Sequence, residues 1–526
     1  MSITAQERSF TGPLFIAFVL LLSLTLGIGI VATGTYAIYA LIGALLFIAF
    51  VSQPVLGVYL TTALLLLSGS TGIIGFVGET EGVALTLARI TGTAALSAWL
   101  INLLLFKNNF RYNSAVIYLC AFVAWAFVCT LLAWDRPLQV PEWVRLVTVL
   151  GFFLLAINTL NTPRKLHIFV LVLLFCGVAM SLTAVAQYLL PQHQLAGADA
   201  WAGLGAVDAA YIDQESLQGE AAIRASGRAG HSNWLAFTIL LILPLSLYWY
   251  GAVRSRTLKL LVILSVAVMG IALVLTYTRV GFLIGLVLAA LLVGKKLVRV
   301  TPLRVFVGLL FVLIAGYTML PQAYKERVFM PRQYVGSESV LSRLQMQESA
   351  TQYLMQNPVF GLGLGGFGIN FIRENNTTAQ TMRFMVDHQG WNAIFVGTHN
   401  MWLEIGSSTG LPGLILFGLF YIILIRKIYV AEQEFLRAGD IQGANLAAAL
   451  FVSLVGFMLC SVFLHALTQK IWWMIAAGAA VIPLYNMSFK DGVTKRFHTT
   501  MEDPRAKEPP PPGAPEAPAP APAPQA

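Results

Sequence analysis

Apolar runs long enough to cross a lipid core recur with little interruption from residue 13 to residue 320, and again from residue 400 to residue 487. A hydrocarbon core of about 30 Å takes roughly 20 helical residues. Only helices and closed barrels satisfy every backbone group there, and runs of this length are helical. The spacing predicts spans near 13–31, 35–51, 54–69, 83–106, 114–134, 142–160, 166–190, 232–251, 258–277, 280–294, 304–320, 400–425, 444–466 and 470–487, the first three short enough to merge. Hydrophobic residues make up 57% of the chain and charged residues 11%, against about one quarter charged in a soluble domain. The predicted fold class is therefore all-α: a polytopic integral membrane helix bundle with about 14 transmembrane helices.

Charge fixes the orientation. Lys107 to Arg111, Arg164-Lys165, Arg254 to Lys259, Lys295 to Arg304 and Arg426-Lys427 fall at every second connection, and cationic loops stay cytoplasmic. Both termini are then cytoplasmic, and two polar stretches, 191–231 and 321–399, face outward. The expected organisation is helices 1–11 over 1–320, a long, partly helical outer loop over 321–399, helices 12–14 over 400–487, and a tail over 488–526. The tail ends in an Ala-Pro alternation that cannot bury a core and is expected to be disordered. No cleavable signal peptide is expected, because the first apolar run lacks a small-residue cleavage site. The net charge of +9 is a topology signal and not a nucleic-acid footprint. Cys120, Cys129, Cys176 and Cys460 all lie in apolar runs as packing residues, with no CxxC metal site.

An ionisable side chain at the centre of a transmembrane helix costs about 2.5–3.5 kcal/mol on insertion scales. Arg89, Glu142, Arg145, Arg279, Glu404, His465 and Lys470 map to the outer ends or outer halves of their spans. That pattern describes a polar cavity open to the outer face, where a transporter would place such groups near the midplane of two related halves. Arg145 and Lys470 taken singly read as helix-end anchors that snorkel to the interface. Arg279 stands in the tight outward turn Thr276-Tyr277-Thr278-Arg279 and presents a planar fork suited to phosphate. Arg224 and Arg228 come from the first outer loop, immediately before His231-Ser232-Asn233 opens a span. The second outer loop carries Arg343 and then Gly361, Gly363 and Gly366. Those three glycines fit G-x-G-x-x-G, but with no βαβ unit around them they read as a glycine-rich turn. The loop closes on Thr398-His399-Asn400 and runs into Glu404, which brings a histidine to the membrane surface.

The ordered set Arg224 to Asn233, Thr278-Arg279-Val280-Gly281, Ser342-Arg343-Leu344, Asn357 to Phe367, and His399-Asn400 to Gly413 resembles the O-antigen ligase and O-antigen polymerase superfamily, over roughly residues 80–425. The resemblance implies transfer of a glycan from a polyprenyl-pyrophosphate carrier to an acceptor hydroxyl. The acceptor would be lipid A-core or a growing polysaccharide, in lipopolysaccharide or exopolysaccharide synthesis on the periplasmic face of the bacterial inner membrane. It implies no metal, nucleotide sugar or other cofactor, and it makes a chain-length regulator protein a candidate partner. A protein O-oligosaccharyltransferase belongs to the same superfamily, and a lipid-linked oligosaccharide flippase is the rival from another class. One departure stands out. Where the family often has an acid, this chain has Ser408, with Glu404 one helical turn earlier.

Lipid pyrophosphate is a good leaving group, so the site mainly needs cations where charge develops. Arg224, Arg279 and Arg343 are the first candidates, then Arg228 and Arg89. An acceptor hydroxyl needs a base, and an imidazole with an ordinary pKa near 6.5 suits that role at neutral pH. His399 is the candidate base, His231 the second choice, and His465 a structural residue. Asn400, Glu404, Gly361 and Gly363 support the site. One-step displacement predicts inversion at the anomeric carbon.

Overall fold

The computed structural model describes residues 35–67, 87–105, 110–189, 225–229, 231–297, 338–374, 397–464, 467 and 469–490. The expected spans 13–31 and 304–320, Arg224, His465, most of the outer loop 191–231 and nearly all of the tail 488–526 lie outside these residues.

Twelve apolar helices coincide with the other twelve expected spans: α1 (Thr35–Ser52), α2 (Pro54–Leu67), α3 (Leu87–Leu105), α4 (Ser114–Leu132), α5 (Arg136–Thr159), α6 (Pro163–Leu189), α7 (Ser232–Ala252), α8 (Arg256–Leu275), α9 (Arg279–Gly294), α12 (Met401–Arg437), α13 (Ile441–Ser461) and α14 (Lys470–Lys490). Eight of them are long and apolar enough to cross a membrane, and the rest are shorter apolar helices. Two further helices, α10 (Glu338–Gln356) and α11 (Gly366–Glu374), form inside the expected second outer loop. No strand occurs among the described residues.

Local chemistry places the helix ends. Asn113 caps α4 by accepting from the Ala115 and Val116 amides, and Asp440 caps α13 by accepting from Gly443 N. Pro163 and Pro54 occupy the first positions of their helices, where a missing N–H costs nothing.

In lipid, helix association rests on close packing and not on escape from water. The buried centre is an aromatic layer of Phe122, Phe153, Phe417, Phe420, Phe457, Trp472 and Trp473, contributed by α4, α5, α12, α13 and α14. Phe457 and Trp472 stack face to face at 3.8 Å. Large apolar side chains such as Leu104, Phe175 and Ile422 point outward, as lipid-facing residues do. Cys129, Cys176 and Cys460 are buried in the packing, while Cys120 faces outward.

The cationic connections gather at one end of the bundle. There Tyr59 Oη donates to Lys165 O (2.8 Å), Asn158 Oδ1 accepts from Arg111 N (2.7 Å), and Tyr485 Oη donates to Thr162 O (2.9 Å). Lys295 pairs with Glu432 at 2.6 Å and lies over the rings of Tyr429 and Phe451. The opposite end holds the α4–α5 and α8–α9 turns and the residues around Arg279.

Candidate active site

The site is organised by a reversal inside α12. At Gly410 the backbone takes φ 68° and ψ −173°, a conformation open essentially to glycine. Pro412 restarts the helix two residues later. The half-helix Met401 to Thr409 folds back along the half that follows. Trp402 packs on Phe417 and Tyr421 with ring centroids 5.7 and 6.0 Å apart. Along a straight helix the pair 402 and 417 would be about 22 Å apart. A methyl on Gly406 would sit 3.6 Å from Leu414 and 3.1 Å from Leu354.

A break within a membrane helix strands carbonyls and amides that must find partners inside the protein. The glycine-rich turn supplies them. Leu362 N donates to Ser407 O and Gly363 N to Ser408 O, both at 2.8 Å, and Leu411 N donates to Pro358 O at 2.7 Å. Trp125 Nε1 takes up Thr409 O at 2.8 Å. Gly363 has φ 83°, and a Cβ there would stand 1.8 Å from Gln139 Oε1. Gln139 in turn donates from Nε2 to Leu362 O (2.9 Å). Gly361 and Gly363 thus act as the plug of a helix break, a task that G-x-G-x-x-G spacing does not announce.

His399 stands three residues before Trp402, at the entry to this half-helix. Its conformation is fixed from both sides. Thr398 is fully buried, its Oγ1 donates to Asn400 O (2.6 Å) and accepts from Asn400 N (3.1 Å), and His399 takes a left-handed φ of 53°. Asn400 Oδ1 accepts from Trp402 N and Leu403 N and caps the half-helix. Trp402 Nε1 donates to Ser461 Oγ at the end of α13 (3.0 Å).

Arg279 opens α9 after Tyr277, which has a φ of 49°. The turn is tied to the start of α7 by Thr278 Oγ1, which donates to Asn233 Oδ1 (3.1 Å). It is tied to the 225–229 segment by Ala225 N, which donates to Leu275 O (3.0 Å). Gln187 Oε1 accepts from Ser226 N and Gly227 N and holds the short turn Gly227–Ala229 that contains Arg228. His231, the second-choice base, accepts from Asn233 N through Nδ1 (3.1 Å) and so serves as the cap of α7. Lys295, at the far end of α9, pairs with Glu432 far along α12. The α9 helix and the second half of α12 therefore run in the same direction. Arg279 lies about 24 Å above the Lys295 end, counting a 1.5 Å rise per residue.

Arg343 belongs to a helix and not to an irregular loop. α10 packs on the first half of α12, and the contact of Leu354 with Gly406 sets the register. Arg343 lies about three turns before Leu354 on α10, and His399 lies about two turns before Gly406. α10 and α11 are clasped by Tyr353 Oη, which donates to Glu374 Oε2 (2.5 Å), and by apolar contacts of Ala350, Tyr353 and Phe367. Burial and the Glu374 carboxylate push the Tyr353 phenol well above its usual range. Arg373 pairs with Asp135 (2.8 Å) and pins α11 to the α4–α5 turn.

A charged cluster fills the space beside the half-helix. Glu142 and Arg145 pair at 2.5 Å on α5, and Arg89 of α3 lies in the field of both. Lys470 of α14 feels Arg89 and Arg145, and Glu404 of α12 feels Glu142. Arg145 is partly exposed and paired with Glu142, and Lys470 is exposed at the start of α14. The acid expected near Ser408 has no direct substitute: Ser408 Oγ and Glu404 Oε2 are both buried without a hydrogen-bond partner. No cluster of His, Cys, Asp and Glu fit to hold a metal occurs among the described residues.

A bundle of apolar helices, eight of them long and apolar enough to cross a membrane, with a reversal inside one of them, defines a class: multi-pass membrane proteins. Residues 264–418 match the family model described as O-Antigen ligase. The matched stretch contains Arg279, Arg343, the glycine turn, His399 and Gly410, and it is narrower than the resemblance over 80–425. It supports a glycosyltransferase-type ligase. No curated protein matches the chain.

Proposed function

We propose that the protein is a membrane glycosyltransferase of the O-antigen ligase type, which moves a glycan from a polyprenyl-diphosphate carrier to an acceptor hydroxyl on the extracytoplasmic side. The observation that carries this reading is the match of residues 264–418 to the O-Antigen ligase family model, a stretch that contains Arg279, Arg343 and His399. In the reaction, His399 takes the proton of the acceptor hydroxyl, and that oxygen bonds to the anomeric carbon. The bond to the diphosphate oxygen breaks, and its electron pair leaves with the diphosphate. Arg279 and Arg343, with Arg224, Arg228 and Arg89, hold the growing charge, and guanidinium forks suit phosphate oxygens. Displacement from one side inverts the anomeric centre. Acceptor carbohydrate, either lipid A-core or polysaccharide, enters from the end at which the α10–α11 segment docks.

The test supplies purified protein in bilayers with a polyprenyl-diphosphate oligosaccharide, chelator and separate acceptors. Expected is an elongated or capped product with inverted linkage. Movement of the lipid-linked glycan between leaflets without product would overturn the transferase in favour of a flippase.

A further inference from the structure

Residues 355–360, at the end of α10, carry three exposed large apolar side chains: Met355 (76% exposed), Val359 (48%) and Phe360 (41%). They belong to the stretch 321–399 that was expected to face outward into water, yet contiguous exposed apolar surface marks something that a protein binds. Earlier on α10 the exposed positions Gln345, Glu348 and Gln352 are polar, Leu344 apart. Two contacts fix where the turn lies. Leu411 N donates to Pro358 O (2.7 Å), and a Cβ on Gly410 would stand 2.1 Å from Val359 O, so the turn sits on the break in α12. The Phe360 ring stacks on Trp125 of α4 with centroids 5.4 Å apart. Trp125 lies seven residues before the end of α4 at Leu132. That is about 10 Å along the axis, a third of a hydrocarbon core of about 30 Å. Since α4 is long and apolar enough to cross a membrane, Phe360 reaches well below its outer end.

The surface beside the turn is lipid-facing. Val128 and Leu131 are exposed on α4, and Leu411, Ile415 and Ile422 are exposed at helical spacing on α12. The turn lies where these two helices meet, because Trp125 also binds Thr409 O. Its backbone suits a medium without water, where polar groups must be satisfied within the protein. Pro358 has no N–H, Asn357 O accepts from Gly361 N (3.0 Å), and Pro358 O is taken by Leu411.

We propose that the turn 355–360 is inserted in the outer leaflet, with Val359 and Phe360 against the acyl chains of bulk lipid. The occupant is lipid because the patch continues the lipid-facing sides of two apolar helices at a depth inside the hydrocarbon. Insertion anchors the end of α10 to the bilayer beside the glycine plug of the α12 break. It involves no substrate and stands apart from the proposed transferase.

The experiment uses the full wild-type chain in nanodiscs of phosphatidylcholine that carries a diazirine in one acyl chain. After photolysis, mass spectrometry should find adducts on 355–360 as frequent as those on Leu411 and Ile415, and scarce on Gln345, Glu348 and Gln352. Adducts on Leu411 and Ile415 with none on 355–360 would overturn the proposal. A second measurement places a nitroxide at Val359→Cys in a chain whose four native cysteines are replaced by alanine. Oxygen should relax this label several-fold more than a water-soluble nickel chelate does, as at Ile415→Cys, with the opposite order at Glu348→Cys. Stronger relaxation by the chelate at 359 would put the turn in water. Protection from both reagents would mean that a second copy or another protein covers the patch, and either result overturns insertion.

Discussion

Trp402 packs against Phe417 at 5.7 Å although the two stand fifteen positions apart, on either side of the break in α12. This contact measures the reversal at Gly410. Replacing Trp402 by Ala removes the contacts to Phe417 and Tyr421 and the bond to Ser461. A buried Trp-to-Ala change costs about 3–5 kcal/mol. A lower melting temperature in detergent is expected, together with loss of transfer out of proportion to the remaining folded fraction. Wild-type activity in Trp402→Ala would contradict the role given to the half-helix.

The plug at the break is equally exposed to test. An alanine at Gly363 would take a φ of 83° and place its Cβ 1.8 Å from Gln139 Oε1. Left-handed backbone and overpacking together cost roughly 2–5 kcal/mol. Gly363→Ala should therefore unfold earlier on heating, whereas Gly418→Ala, at a position with open space around it, should melt like the wild type.

General-base assistance contributes about 10²- to 10⁴-fold in rate. Under the proposed mechanism, His399→Ala lowers kcat by that factor and leaves farnesyl diphosphate binding intact. The acid limb of the kcat/KM profile, which reports protonation of the base in the free enzyme, disappears with it. An unchanged pH profile in His399→Ala would remove His399 from proton transfer.

The Tyr353 phenol donates to Glu374 and is held above its ordinary range by burial and by that carboxylate. A raised folded pKa means that the neutral phenol is the form the fold stabilises. Its contribution is whole below the unfolded value near 10 and is lost as pH rises through the folded value. Tyr353→Phe should cost about 1.5–3 kcal/mol at neutral pH, as expected for a hydrogen bond to a charged group. It should also flatten the alkaline loss of stability. Hydrogen exchange across α10 and α11 at pH 8 and pH 11 checks both.

Much of the fold was legible because a bilayer allows few solutions. The runs 114–134, 166–190 and 232–251 are helices for no reason beyond apolar length, and the cations at Lys165 and Lys295 were enough to order the ends. Arg279 was singled out as a candidate by its turn, and His399 by the chemistry of its neighbours. The reversal at Gly410 was not legible, because a run from 400 to 425 reads the same whether straight or doubled back. Gly410-Leu411-Pro412 was the available signal, a glycine able to take the needed φ with a helix starter behind it.

By itself, then, the sequence determined what each segment must be: hydropathy set the spans and charge set the ends, both local properties summed along the chain. Which groups share a space was decided by tertiary structure. Glu404 and Glu142 are 262 positions apart, and only packing of α12 against its neighbours brings them into one field. The carbonyls freed at the break in α12 likewise found Leu362 and Gly363 because a buried polar group must be satisfied by whatever the fold places beside it.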